Sequence, residues 1–374
     1  MHIKEYFSHI DWILFAALFP LLGAGLLTMN SFTGENYFFI RQITWISVAL
    51  VVFFIFSRID WRFLKRTDIL ISLFFFSSFI LLLLFIGGHT VRGSQSWFQF
   101  GSLAFQPADP AKLLVILILA KYFSRRHTEI AHIRHILVSG FYAFVPFVLV
   151  FLQPDFGSAI IIFAIWLGMI MVSGVSKKHL LALVFTSATL FLLLWSFVFE
   201  DYQKQRVITF LNPYTDIQGA GYNAYQSTIA VGSGELLGRG LGYGTQSRLE
   251  FLPEYETDFI FAAFAEEWGF IGSLILFTLF GIVFWRILHH ARLGAGNFET
   301  LFGVGLAIFL MTHFIIHVGM NIGLLPVTGI TLPFLSYGGS HLITEFAGLG
   351  ILMGMGRYAR TVHRDDAKKE FVGV

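Results

Sequence analysis

The chain has 374 residues, of which 56% are hydrophobic and only 13% are charged, and its mean hydropathy is +0.73. Soluble globular chains carry about 25% charged residues, so the composition excludes the ordinary soluble classes. Lipid offers the backbone no hydrogen-bond partners, and the apolar runs are too long and uniform for barrel strands, so we expect membrane helices. The absence of cysteine excludes disulfides and thiolate metal sites, and the net charge of +2 indicates no particular class of partner.

The first apolar run lacks a basic leader and a small-residue cleavage site, so it predicts a retained first helix. With the later runs, the predicted helices lie near 12–30, 39–57, 68–87, 108–124, 136–152, 157–174, 179–199, 258–286, 301–323 and 340–356. The linkers are short. The sequence therefore predicts an all-α polytopic membrane protein with about ten transmembrane helices, forming one domain over 1–374.

Basic residues fall on alternate connections between these helices, in the stretches 58–66, 121–134, 177–178, 286–292 and 357–369. Positively charged loops stay on the cytoplasmic side of a membrane. We therefore expect a protein of the cytoplasmic membrane with both termini on the cytoplasmic side. The polar residues discussed below then gather on the outer side.

Two outer segments are unusual. The connection 200–257 between helices 7 and 8 is rich in Gly, Tyr and Gln, and loops of this length are usually functional or disordered. Its GSGELLGRGLGYG run does not predict a nucleotide site, because no parallel-sheet pattern surrounds it. The segment 323–340 places Pro and Gly at membrane depth, which predicts a re-entrant loop that is buried in protein or lines a cavity beside Asp258.

Asp109 and Lys112 are candidate functional residues at the outer start of the fourth helix. Ionisable residues within membrane helices are costly and are functional hypotheses by default. Their spacing of three predicts contact on one helix face. Two interpretations stay open: a structural ion pair, or a lysine that faces a cavity and holds a phosphate as a point charge.

Asp258 is the second candidate, at the outer edge of the eighth helix, where the chain becomes apolar. It is either a general base at the membrane boundary or an acid favoured by the helix N-terminus. Glu254 and Glu256 are interpreted as solvated loop charges. Of the deeper Glu266 and Glu267, at least one is expected to cap or brace a neighbouring helix.

Arg92 and Arg206 are outward-facing arginines near aromatic residues, suited either to binding phosphate or to anchoring at the membrane interface. Asp155 precedes the sixth helix, where an N-terminal cap is the favoured interpretation.

Four further residues form two pairs at helical spacing. His313 and His317 have no third ligand near them in sequence, so hydrogen bonding in the core is favoured over a metal site. For His341 and Glu345 a structural pair is favoured.

Several segments in the same order identify the chain as a member of the SEDS family (shape, elongation, division and sporulation), which contains the RodA and FtsW peptidoglycan glycosyltransferases. They are GSQSWF, QPADPAK, QPDFGSA, RVITFLNP, AYQSTIAVGSGELLGRGLGYG, LPEYETDFIFAAFAEEWGFIG and GLLPVTGITLPFLSYGGS. The last two are highly specific, and the short N-terminus resembles RodA more than FtsW.

The resemblance implies a ten-helix fold with a large outer loop, and polymerisation of lipid II into glycan strands for elongation and shape. It makes Asp258 the base that deprotonates the acceptor 4-hydroxyl, with lipid pyrophosphate as leaving group. Lys112, Arg206, Asp109 and Arg92 would serve the pyrophosphate, alone or with a divalent cation such as Mg²⁺ or Mn²⁺. The implied partners are a class B penicillin-binding protein, membrane lipid and the elongation or division complex, with no nucleic acid.

The sequence departs from the family pattern at Asp109, where Glu is usual, and at Thr331, His317 and His341, where Pro, Asn and Ser are frequent. Two rival functions stay open. A lipid-linked precursor flippase would distribute polar residues through the membrane depth, whereas a noncatalytic scaffold would not need the charged outer cluster.

Overall fold

Long helices dominate the computed structural model, which describes residues 10–31, 37–91, 94–101, 103–125, 133–199, 201–212, 221–249 and 251–371. The first seven are α1 (Trp12–Asn30), α2 (Tyr37–Phe56), α3 (Thr67–Gly87), α4 (Ala108–Ser124), α5 (Ile133–Phe151), α6 (Phe156–Val172) and α7 (Lys177–Phe197). Three shorter helices follow, α8 (Asp201–Leu211), α9 (Tyr222–Ser233) and α10 (Thr245–Arg248). The chain then forms α11 (Ile260–Arg292), α12 (Asn297–Asn321) and α13 (Gly339–Phe371).

Within the described ranges, seven helices are long and apolar enough to cross a membrane, namely α1, α2, α3, α5, α7, α11 and α12. The all-α polytopic fold is therefore confirmed. Helix α6 is apolar but has 17 residues, and α4 has the same length and carries Asp109 and Lys112. The count of ten spans and the single domain stay predictions.

Polar side chains begin several helices by accepting hydrogen bonds from unpaired N–H groups of the first turn. Asp11 accepts from Ile13 N at 3.0 Å and Leu14 N at 3.2 Å before α1. Asp155 accepts from Ser158 N at 3.0 Å before α6, which confirms its predicted capping role.

A small antiparallel sheet, which the sequence did not predict, lies between α3 and α4. Its strands are β1 (His89–Val91), β2 (Ser94–Phe100) and β3 (Leu103–Phe105), in the order β1-β2-β3. The carbonyl of Gln153 accepts hydrogen bonds from Gln95 N at 3.3 Å and Ser94 Oγ at 2.9 Å. The sheet is thereby fixed to the end of α5.

The two ends of the bundle differ in their contacts. One end, here called the terminal face, carries the ion pairs of Asp11 with Arg286 and of Lys65 with Glu299. Arg357 also donates there to the carbonyl of Arg58 at 3.1 Å. The opposite end, called the site face, carries the three strands and the start of α11. Successive helices connect the two faces.

Helix α11 is broken at Gly269, which has φ 66° and ψ −163°. The glycine-rich segment 234–244 packs into this break, where a Cβ on Gly269 would lie 2.3 Å from Gly238 N. Glu266, buried beside the break, accepts from Gln246 N at 3.0 Å and Ser247 N at 3.4 Å, and so caps α10. The expectation that Glu266 or Glu267 braces a neighbouring helix is confirmed.

The segment 322–338 between α12 and α13 has irregular backbone and turns inward. Its apolar side chains Leu332 and Leu335 are fully buried. The main chain passes so close to α1 that a Cβ on Gly25 would lie 2.5 Å from the carbonyl oxygen of Leu335. Irregular backbone at membrane depth is tolerated only where protein or a cavity surrounds it, so this agrees with the predicted re-entrant loop.

Candidate active site

Asp258 lies in the turn that leads into α11, and its side chain is half-buried. The main chain on either side is fixed, because Phe259 N donates to the carbonyl of Glu254 at 3.1 Å and Thr257 O accepts from Ser336 Oγ at 2.8 Å. A Cβ added to Gly329 would lie 3.7 Å from Asp258 Oδ2. The carboxylate is thus held against the re-entrant segment at the site face.

Asn321 holds this turn from α12. Its Nδ2 donates to the carbonyl of Asp258 at 3.1 Å, and its Oδ1 accepts from Ala262 N at 3.1 Å and from Ser227 Oγ at 3.3 Å. The side chain is fully buried. Sequence reasoning missed Asn321, although an amide at the end of an apolar helix is a residue that needs partners.

Glu256 corrects an expectation. It is 8% exposed, and its carbonyl accepts from Tyr337 N at 2.8 Å. The interpretation of Glu256 as a solvated charge is wrong, because the turn folds against the re-entrant segment. Glu254 is half-buried, and its Oε2 accepts from Thr257 Oγ1 at 3.1 Å.

A buried charged cluster lies at the start of α4. Asp109 Oδ1 is 3.0 Å from Lys112 Nζ, and Oδ2 accepts from Ser340 Oγ at 3.0 Å. Both charged residues are 2% exposed. The predicted ion pair is confirmed, and in this conformation the ammonium of Lys112 faces Asp109.

His341 extends the cluster along α13. Its Nδ1 is 3.4 Å from Asp109 Oδ1, and its Nε2 is 2.9 Å from Glu345 Oε1. The other oxygen of Glu345 accepts from Phe334 N at 3.1 Å. The structural His341–Glu345 pair is confirmed, and it also ties the re-entrant segment to α13.

His313 and His317 hold the same segment from α12. Their Nδ1 atoms lie 3.2 Å from Thr331 O and 2.7 Å from Ile330 O. A carbonyl accepts only, so each Nδ1 carries the proton. The interpretation as hydrogen bonding in the core is confirmed.

The residues that the structure describes contain no group of three or more His, Asp or Glu side chains placed to hold a metal ion. Mg²⁺ and Mn²⁺ prefer several oxygen ligands. The described residues alone therefore do not form a divalent-cation site, and no chemical step is derived through one.

The predicted site residues are brought together only in part. The segment 329–340 begins beside Asp258, at Gly329, and ends beside Asp109, at Ser340. It therefore connects the candidate base to the Asp109–Lys112 pair. Arg92 and the side chain of Arg206 lie outside the described part of the chain.

An aromatic groove opens between α5, α6 and α7, with a volume of about 550 Å³. Phe144, Phe156 and Phe191 line it from the three helices, with Thr186 and Ser187 as hydroxyl-bearing members of the lining. Such a groove can take an extended hydrocarbon chain.

The sequence and the fold both match known proteins. Residues 7–361 match the family model of FtsW, RodA and SpoVE, described as cell cycle protein. The peptidoglycan glycosyltransferase MrdB of Escherichia coli K12 is 36% identical over 350 residues, covering 93% of each chain. A chain in a structure of a peptidoglycan synthase complex has a TM-score of 0.81 at 28% identity, covering 93% of this chain and 98% of that one. The crystal structure of the Thermus thermophilus rod shape determining protein RodA has a TM-score of 0.70 at 26% identity, covering 93% and 96%. This chain belongs to the FtsW/RodA/SpoVE family, the SEDS proteins, and is an inner membrane protein.

Proposed function

We propose that this protein is a peptidoglycan glycosyltransferase that polymerises lipid II into glycan strands at the outer face of the cytoplasmic membrane, for cell elongation and shape. The observation that carries the proposal is the half-buried carboxylate of Asp258 in a turn fixed by Asn321 and Ser336. The name of the Escherichia coli relative, peptidoglycan glycosyltransferase, supports it.

In the proposed reaction Asp258 accepts the proton of the acceptor sugar's 4-hydroxyl. The electron pair left on that oxygen forms a bond to the anomeric carbon of the donor. The bond from the anomeric carbon to the pyrophosphate oxygen breaks, and the lipid pyrophosphate leaves with the electron pair of that bond. A positioned general base contributes about 10²- to 10⁴-fold to rate. Fixing the main chain of the turn keeps that base in one place without cost at the moment of reaction.

The departing lipid pyrophosphate concentrates negative charge, which cations stabilise. Lys112 is assigned this task, with Arg206 and Arg92, while Asp109 orients Lys112 through their 3.0 Å contact. A divalent cation would have to be held mainly by the substrate's phosphates, because the described residues alone form no ligand set. The polyprenyl chain is assigned to the aromatic groove between α5, α6 and α7, whose lining suits hydrocarbon.

Orientation and partner follow from the same proposal. The described parts of the basic stretches fall at the terminal face, so this face is assigned to the cytoplasm with both termini, and 200–257 to the outside. A class B penicillin-binding protein is proposed as the cross-linking partner. The similarity to a chain in a peptidoglycan synthase complex that coordinates polymerisation and crosslinking supports this.

The test is polymerisation of lipid II by the purified full-length protein, with and without the penicillin-binding partner, read as glycan chains on a gel. Wild-type protein is expected to give polymer, and Asp258→Asn to reduce it about 10²- to 10⁴-fold. Lys112→Ala and Arg206→Ala are expected to weaken use of the donor.

Folding of each variant is checked by its thermal unfolding midpoint. Full polymerisation by Asp258→Asn would remove the base assignment. Transbilayer movement of lipid II without any polymer would favour the flippase.

A further inference from the structure

Four ionisable side chains form one buried network between α4 and α13. Asp109 contacts Lys112 at 3.0 Å and His341 at 3.4 Å, and His341 contacts Glu345 at 2.9 Å. All four residues are 6% exposed or less. Removing charges from water is costly unless they are balanced, so the protonation of this network is constrained.

The contacts of His341 favour a positively charged ring. Its two nitrogens lie 3.4 Å and 2.9 Å from carboxylate oxygens, which only accept when ionised, and a neutral imidazole has one N–H to offer. A neutral ring would set a nitrogen lone pair against a carboxylate and leave two negative groups with one cation. A protonated ring balances Asp109 and Glu345 with Lys112 and His341.

The remaining titratable neighbour is consistent with this charge. His313 stacks on His341, with ring centroids 4.5 Å apart. Its Nδ1 proton is committed to Thr331 O at 3.2 Å, so a neutral His313 satisfies this contact and adds no second positive charge beside His341. In the described part of the chain, the titratable groups in contact with the ring of His341 are Asp109, Glu345 and His313.

We propose that His341 is an imidazolium that serves as a second counter-cation of Asp109, which allows Lys112 to leave Asp109 for a phosphate of the substrate. Without His341, movement of Lys112 would leave a buried carboxylate with the hydroxyl of Ser340 as its partner. With it, Asp109 keeps a cation and a hydroxyl. His341 is thus a positioning residue that acts through Asp109, and this inference rests on the proposed function of Lys112.

The charge of His341 is tested without any activity measurement. Full-length protein labelled with ¹⁵N-histidine is placed in nanodiscs, and the spectrum of His341→Gln assigns the His341 signals by difference. We expect both ring nitrogens of His341 to be protonated at pH 7. A neutral tautomer would overturn the proposal.

The effect on Lys112 is tested by binding of fluorescent lipid II in the Asp258→Asn background, where substrate is not consumed. The double change His341→Gln with Glu345→Gln removes one positive and one negative charge, so the fold is expected to survive. We expect the dissociation constant to rise about ten- to hundredfold, the range for losing one charge-assisted contact. Adding Lys112→Met to this double variant should raise the dissociation constant little further, because Asp109 already keeps Lys112 away from the substrate.

The matched control is His135→Gln, another buried histidine, whose Nδ1 lies 2.9 Å from Tyr122 Oη and which the structure does not place in the charged network or the candidate site. It is expected to bind lipid II like the parent protein. Unchanged affinity in the double variant would overturn the proposal. Normal binding by a wild-type protein that makes no glycan would instead overturn only the proposed polymerase function.

Discussion

Asp11 joins the first helix to α11 at the terminal face. Its Oδ2 accepts from Arg286 Nε at 2.6 Å and lies 2.8 Å from His290 Nε2, while Oδ1 caps α1. Partial burial raises the pKa of Asp11, but the hydrogen bonds from His290 and Arg286 outweigh it and hold the pKa well below its ordinary value. Folding therefore stabilises the ionised form of the Asp11 carboxylate.

This shift gives stability a defined dependence on pH. As pH falls, Asp11 takes up a proton in the unfolded chain before it does so in the folded protein. The contribution of ionised Asp11 to the free energy of unfolding is therefore complete above about pH 4 and is lost progressively below it. Asp11→Asn keeps the cap but loses the charge-assisted contacts, and is expected to cost about 2 to 3 kcal/mol at pH 7. The measurement is thermal unfolding in detergent from pH 3 to 7. If Asp11→Asn lost the same stability relative to wild type at pH 3 as at pH 7, the role given to the ionised Asp11 carboxylate would be contradicted.

Residue roles could be predicted where the partners are close in sequence. Asp109 and Lys112 pair as their spacing indicates, and Asp155 caps the helix that follows it. The contact of Asp109 with His341 could not be predicted, because it joins residues more than two hundred positions apart. Both are positions where the resemblance led us to expect another residue, and the structure brings them into contact.

At the scale of elements, the break in α11 depends on one glycine. Gly269 combines a positive φ with extended ψ, a conformation nearly restricted to glycine. Gly269→Ala is expected to cost about 3 kcal/mol, because the backbone is strained and the new Cβ meets Gly238. The measurement is the loss of thermal stability, with proteolysis of 234–249 as a local readout.

The matched control lies on the same helix. Gly281 is helical, and a Cβ there would meet no atom within 4 Å. Gly281→Ala is expected to be neutral or slightly stabilising, because alanine favours the helix. Similar destabilisation by both changes would show that the strain at Gly269 is not the cause.

The helices could be predicted because twenty apolar residues are a strong signal. The predicted 12–30 matches Trp12–Asn30, whereas α13 extends to Phe371, well beyond the predicted 356, since its charged end continues as a helix outside the apolar pattern. The strands β1 to β3 gave no usable signal, because they are short and lie between apolar runs. The break at Gly269 also depends on a remote segment.

At the scale of the whole molecule, orientation in the membrane can be measured directly. The chain has no cysteine, so a single introduced thiol is labelled without background. Gln99 on β2 and Arg292 at the end of α11 are exposed on opposite faces. In intact spheroplasts, a membrane-impermeant maleimide is expected to label Gln99→Cys fully and Arg292→Cys only after permeabilisation. The reverse pattern would invert the assigned topology.

The break in α11 has a mechanical consequence for the whole molecule. Main-chain hydrogen bonds of 2.9 to 3.1 Å join 235–240 to 266–271, with Arg239 and Gly240 as donors in one direction and Phe270 and Ile271 in the other. A force applied to the segment 235–240 would therefore be transmitted to α11 through these hydrogen bonds. Eight residues before the first of these bonded positions lies Asp258. The segment 235–240 is thus mechanically coupled to the helix that directly follows the proposed base.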